Sequence, residues 1–74
     1  MCKRELLAIA RQVQQAGQPS IASDIAAIAE YSRDDEQRDV LAYYEMCRLT
    51  REGEHVASDL LWQALYPAQA AIYR

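Results

Sequence analysis

A chain of 74 residues, of which 51% are hydrophobic and 26% charged, has room for one small core, so residues 1–74 are expected to form a single domain. Two glycines and two prolines exclude collagen-like and low-complexity proteins, and a net charge of −3 argues against a protein that binds phosphate backbones. The two cysteines form no CxxC pair, which predicts neither a zinc ribbon nor a disulfide framework.

The first two predicted helices come from hydrophobic periodicity. Between Lys3 and Ala16 the apolar residues recur at intervals of three and four, which is typical of one face of an amphipathic helix. Gly17 and Pro19 are expected to end this helix. Ser20 is expected to cap the second helix, which should end near Tyr31. Its predicted buried stripe consists of Ile21, Ile25, Ile28 and Ala29.

The third predicted helix begins with an acidic stretch, DDEQRD, after a cap at either Ser32 or Asp34. Acids in a first helical turn meet the positive end of the helix dipole, so their placement favours a helix start here. Gly53 should end the helix. The predicted apolar stripe consists of Val40, Tyr43, Tyr44 and Cys47, with Arg51 as an optional last member and Leu41 and Leu49 beside it. Core or dimer packing is favoured for Tyr44 and burial for Cys47, whereas Tyr43 is a candidate for contact with a partner.

The fourth predicted helix starts between Glu54 and Ser58 and is kinked or ended by Pro67. Its apolar face is expected at Val56, Leu60, Leu61, Ala64 and Leu65. The tail after Pro67 either adds one further turn or frays. No alternating strand pattern and no internal repeat is present. The sequence therefore predicts an all-α, compact four-helix domain whose core uses Leu, Ile, Val, Ala and Tyr.

Residues able to support catalysis or metal binding are few. The single histidine, His55, precedes Ser58 and Asp59, but a nucleophile, base and orienting group are normally assembled from separate elements. A surface or helix-start role is therefore favoured for these three residues. One histidine and two isolated cysteines form no recognisable metal-ligand set. We expect no enzyme activity and no cofactor.

The stretch ASDIAAIAEYS resembles the first half of a helix-turn-helix, and residues 5–56 resemble the small winged helix-turn-helix regulators. The resemblance is carried by Ile25, Ala26, Ala29, Leu49, Gly53 and Val56. It implies that the second helix braces a third helix that lies in the major groove of DNA. The acidic DDEQRD stretch occupies the start of that third helix, and the helical segment ASDLLWQALYP stands where a wing would be.

Two functions follow from these patterns. In the favoured one, the chain is a small non-enzymatic regulator, an inhibitor or adaptor of phage or plasmid type, that binds a larger protein with a basic surface. The host transcription apparatus is one such target. Its candidate contact residues are Lys3, Arg4, Asp34, Asp35, Glu36, Asp39, Tyr43 and Tyr73.

The alternative is a DNA-binding transcriptional regulator that acts as a dimer through Lys3, Arg4, Arg11 and Arg33. It is less favoured, since carboxylates placed against phosphates cost affinity. A homodimer is compatible with either function. The N-terminal segment MCKRELLAIARQ carries charge within its first apolar run, so neither a signal peptide nor a membrane span is predicted and a cytoplasmic location is expected.

Overall fold

The computed structural model describes residues 1–73, which form helices and no strands. Four of the five helices are long enough to frame a core, and a short fifth helix follows Pro67. Their bounds are α1 Lys3–Gln15, α2 Pro19–Tyr31, α3 Asp35–Arg51, α4 His55–Leu65 and α5 Pro67–Ile72. The all-α prediction is confirmed, and the tail after Pro67 adds a turn rather than fraying.

The helices are arranged as two helical hairpins around one core. In the first hairpin α1 packs along α2, and in the second α3 packs along α4. The hairpins meet where α1 contacts α4 and where α2 contacts α3. The short helix α5 packs mainly on α4. One shared core is consistent with the single domain predicted for the chain.

The turns of the two hairpins have the same backbone geometry. Gly17 and Gly53 have φ of 86° and 77°, in the left-handed region that L side chains rarely adopt. The next amide donates to a carbonyl five residues back: Gln18 N to Val13 O at 3.2 Å, and Glu54 N to Leu49 O at 2.9 Å. This pattern is the Schellman motif, which satisfies carbonyl groups left open at a helix end.

Gln18 and Glu54 have two further roles in the fold. Each is the N-cap residue of the helix that follows its turn. The residue that closes the Schellman motif of one helix therefore also begins the next helix. The Gln18 side-chain amide also donates to the Glu54 carboxylate at 2.5 Å, which joins the two turns. The predicted cap at Ser20 is therefore wrong. Pro19 takes the first helical position, where a missing N–H costs nothing.

The two hairpins also repeat each other in the placement of core residues, although no internal repeat was apparent in the sequence. Val13 and Leu49 lie four residues before the respective glycines, and Ile25 and Leu61 lie eight residues after them. All four are fully buried. At these positions only the glycine itself is the same residue in both hairpins, which is why sequence inspection misses the repeat.

The core is built from small and aliphatic residues. Half of the buried apolar residues are alanines, and the largest fully buried side chains are Leu6, Val13, Ile25, Leu49 and Leu61. Alanine lets helix backbones approach closely, which leaves little room for a ring between them. No aromatic residue of the described chain is buried, so the expected contribution of tyrosine to the core is wrong.

Two arginines tie the hairpins together from the surface of α3. Arg48 forms ion pairs with Glu45 and Glu52 on its own helix and with Asp24 on α2, the last at 3.3 Å. Arg38 donates from Nε to the carbonyl oxygen of Ala29, near the end of α2, at 3.1 Å. These contacts connect α3 to the first hairpin, where α2 and α3 pack less extensively than the two helices within each hairpin.

We predict that Leu61→Ala lowers the free energy of unfolding by about 2 to 5 kcal/mol, because it removes a fully buried side chain from a close-packed core. Val56→Ala is the matched control, since Val56 lies on the same helix but is 57% exposed, contrary to its predicted place on the buried face. Its cost should stay within about 0.5 kcal/mol. Urea unfolding measures both, and equal losses would contradict this division of α4.

Candidate protein-binding groove

A single surface groove collects most of the exposed apolar side chains of the second hairpin. It has a volume of about 610 Å³ and runs between the first half of α3 and the corner where α4 meets α5. We name it the α3–α4 groove. Its lining residues are Met1, Glu5, Asp39, Val40, Tyr43, Tyr44, Ala64, Leu65, Tyr66 and Pro67.

One wall of the α3–α4 groove is the apolar stripe of α3. Val40, Tyr43 and Tyr44 follow helical spacing and are 48%, 43% and 65% exposed. The two tyrosine rings meet edge to face, with centroids 6.0 Å apart. The expected core packing of Tyr44 is wrong, because α3 turns Ala42 and Leu49 to the core instead. The helix therefore has an aliphatic face inside and an aromatic face outside.

The other wall is formed by the corner at Tyr66 and Pro67. Pro67 is the first residue of α5, and Tyr66 links α4 to α5 with φ of −129° and ψ of 62°, outside the helical range. The Tyr66 ring lies 6.4 Å from that of Trp62, which in turn lies 6.3 Å from the ring of Tyr73. These ring contacts pack behind the corner, so the position of the groove wall is supported by Trp62 and Tyr73 as well as by Tyr66.

The charged side chains that line the α3–α4 groove are both acidic. Glu5 projects from α1 and is exposed, with no ion pair or hydrogen bond of its side chain to any other residue in 1–73. The Asp39 carboxylate contacts the amino group of Met1, whose side chain is packed against the core. Among residues 1–73, no lysine or arginine side chain lines the groove, and the positive charge of the Met1 amino group is paired with Asp39. The groove therefore combines aromatic walls with an acidic edge.

The hydroxyl group of Tyr43 is near the thiol of Cys47, one turn further along α3. A hydrogen bond to that thiol, together with the charge it acquires on ionising, raises the pKa of Tyr43 above its ordinary value of 10.0. Tyr43 therefore stays neutral at physiological pH. The α3 wall thus presents an uncharged aromatic surface to the groove.

Most carboxylates of the acidic stretch are engaged within the chain itself. Asp34 is the N-cap of α3, and its carboxylate accepts a hydrogen bond from the Gln37 amide at 2.8 Å. This bond, more than the nearby Arg33, holds the pKa of Asp34 below its ordinary value. Asp35 pairs with Arg38 at 2.7 Å. Glu36 is exposed and its side chain has no such partner within the described residues.

The remaining candidate contact residues lie away from the α3–α4 groove. Lys3 on α1 pairs with Glu30 on α2 at 3.0 Å, while Arg4 is exposed. Tyr73 is 81% exposed, and its ring contacts Trp62 outside the groove lining. Of the eight candidates, the structure places only Asp39 and Tyr43 in the groove lining.

Several groove residues were missed by sequence reasoning. Tyr44 and Val40 were assigned to the core because a run of apolar residues at helical spacing is the usual signature of a buried face. Tyr66 was not among the eight candidate contact residues. One usable signal was present: Tyr66 immediately precedes Pro67, which requires the chain to turn and exposes the residue at the corner.

The residues around His55 have structural contacts. His55 is the exposed first residue of α4, whereas Ser58 is only 8% exposed. The Ser58 hydroxyl is hydrogen-bonded to the Thr50 hydroxyl at 2.5 Å and approaches the Met46 carbonyl at 3.4 Å. In the described part of the chain, no group of three or more histidine, cysteine, aspartate or glutamate side chains is placed so that it could hold a metal ion. Within residues 1–73, no helix has the length and apolar character needed to span a bilayer.

Comparison with protein-family models, with curated proteins and with solved structures finds no match to this chain.

We predict that Asp34→Ala lowers the urea midpoint of unfolding at pH 7, because it removes the cap of α3. The folded-state pKa of Asp34 lies below its value in the unfolded chain. The ionised carboxylate therefore stabilises the fold above the ordinary pKa of 3.8, and this contribution disappears as the pH falls through the lower folded-state value.

Asp34→Asn is the matched control for this prediction, since asparagine keeps a capping oxygen and removes the charge. It should retain most of the midpoint at pH 7. The difference between wild type and Asp34→Ala should shrink between about pH 5 and pH 2. A difference that stays constant over this range would contradict the assigned role of the carboxylate.

Proposed function

We propose that this chain is a small non-enzymatic regulatory protein that binds a larger protein through the α3–α4 groove. The observation that supports it is the exposure of Val40, Tyr43 and Tyr44 as one continuous wall opposite Tyr66. Contiguous apolar surface of this kind marks interaction sites on proteins that are otherwise well packed. In this proposal the protein is an inhibitor or adaptor, with the host transcription apparatus as one candidate target.

Affinity in this proposal comes mainly from the aromatic residues. Tyrosine and tryptophan dominate the energetics of protein interfaces because they bury a large rigid surface at low entropic cost. Acidic residues near the groove contribute mainly to partner choice and association rate, through attraction to a basic surface. Asp34 and Asp35 are tied to their own helix, so among the acids of this stretch Glu36 is the most available for contact.

The second candidate function is DNA binding by a dimer with a helix-turn-helix-like core formed by α1, α2 and α3. It is favoured by the short connection of three residues, 32–34, between α2 and α3, a length typical of that motif. It is disfavoured by the engagement of two of its four cations, since Lys3 pairs with Glu30 and Arg33 with Asp34. The other two of these four cations, Arg4 and Arg11, are exposed and form no ion pair within residues 1–73.

We predict that a bacterial lysate yields a protein partner of the wild type that Tyr44→Ser fails to retain, because Tyr44 supplies the most exposed ring of the α3 wall. The matched control is Tyr31→Ser, which removes an 87% exposed tyrosine from α2, outside the groove lining. Identical sets of captured proteins for all three chains would contradict a role for the groove.

The two candidate functions differ in their response to nucleic acid and salt. An anisotropy titration with random and genomic duplex DNA at low salt should show no binding if the groove function holds. Binding whose affinity falls steeply with salt concentration would instead support the DNA-binding alternative, because it reports the release of counterions from phosphates.

A further inference from the structure

We propose that the occupant of the α3–α4 groove is an amphipathic helix of the partner protein, with apolar residues on one face and lysine or arginine at its flanks. This inference rests on the proposed function and names the chemistry of the partner segment. It is based on three properties of the groove: the state of its backbone groups, the spacing of its apolar side chains and the sign of its charges.

The backbone of the groove walls favours a helical occupant. Both walls belong to helices, whose amide and carbonyl groups bond within the helix, and even at the corner the Tyr66 amide donates to the Trp62 carbonyl at 2.8 Å. There is no sheet edge in residues 1–73. An extended segment would therefore leave its own backbone groups without partners, whereas a helix satisfies them internally.

The side chains of the groove match the apolar face of a helix. Val40, Tyr43 and Tyr44 form a ridge at intervals of three and four, and Tyr66 with Pro67 forms the opposite side. A groove between two such walls accepts apolar side chains that repeat at the same intervals on a facing helix. Exposed tyrosine hydroxyl groups at the rim remain able to bond with polar groups of the occupant or with water.

The charges of the groove favour a basic occupant. Glu5 has no partner within the described residues, and Asp39 is 55% exposed although it pairs with the positively charged Met1 amino group. Among residues 1–73, no lysine or arginine side chain lines the site. Glu36, also exposed, lies one turn before Val40 on the same helix. A helix with lysine or arginine beside its apolar face would meet these carboxylates, while one with acidic flanks would be repelled.

The same charges disfavour a second copy of this chain as the occupant. A symmetric dimer across the groove would place the same surface patch on both sides of the interface. Glu5 and Asp39 of one copy would then face an equally acidic edge. The chain carries a net charge of −3, which adds to the repulsion.

The test uses a dye-labelled synthetic peptide of about 18 residues, long enough for five helical turns. It carries leucine at positions i, i+3, i+4 and i+7 and lysine at the flanking positions. Anisotropy titration of wild-type protein should show saturable binding of this peptide. A peptide with glutamate in place of lysine, and a lysine peptide interrupted by two prolines, should each bind at least about tenfold more weakly, a change of about 1.4 kcal/mol.

Variants of the protein locate the peptide. Tyr44→Ser should weaken binding by about tenfold and Glu5→Gln by a smaller factor that shrinks with added salt. Tyr31→Ser is the control for a lost exposed tyrosine. Urea unfolding of each variant establishes that it is folded before its affinity is compared.

The helix inference is overturned if the three peptides bind alike, if none binds, or if Tyr31→Ser weakens binding as much as Tyr44→Ser. It is also overturned if gel filtration shows a dimer that Tyr44→Ser dissociates, because a second copy then fills the groove. These failures are distinct from failure of the proposed function. A protein partner that is lost with Tyr44→Ser, while the helical peptide does not bind, leaves the groove function standing and rejects the helical occupant alone.

Discussion

Close packing through alanine is the constraint on which the rest of this small protein depends. Alanines on all five helices supply half of the buried apolar residues, so the helices meet at short distance around a few leucine, isoleucine and valine side chains. A core filled mainly by alanine and aliphatic side chains leaves little room for a phenol or indole ring. The five tyrosines and the tryptophan therefore lie at least partly at the surface, and the α3–α4 groove is a direct consequence of how the interior is filled.

The acidic stretch before α3 has a structural explanation that does not require a partner. Asp34 caps the helix, Asp35 holds Arg38, and Arg38 in turn reaches the carbonyl of Ala29 on α2. The side chains at the start of α3 therefore also connect this helix to the preceding hairpin.

Much of the fold could be predicted from the sequence, because helix starts and ends depend on local chemistry. Gly17 and Gly53 end their helices as expected from residue type, and Asp34, one of the two predicted caps, caps α3. The face that α3 turns to the core could not be predicted, because apolar residues lie on both of its faces and differ mainly in the kind of side chain. Periodicity finds the apolar positions, yet only tertiary packing decides that Ala42 is inside and Tyr44 outside. The groove was missed for the same reason.

The row of rings at Trp62, Tyr66 and Tyr73 gives this protein an intrinsic optical reporter. Trp62 is the only tryptophan of the chain, and its partly buried ring lies 6.4 Å from that of Tyr66, which lines the groove. Any ligand that displaces or shields Tyr66 alters the polarity around the indole. Emission of the unlabelled chain therefore reports on the corner of α4 and α5, independently of any dye.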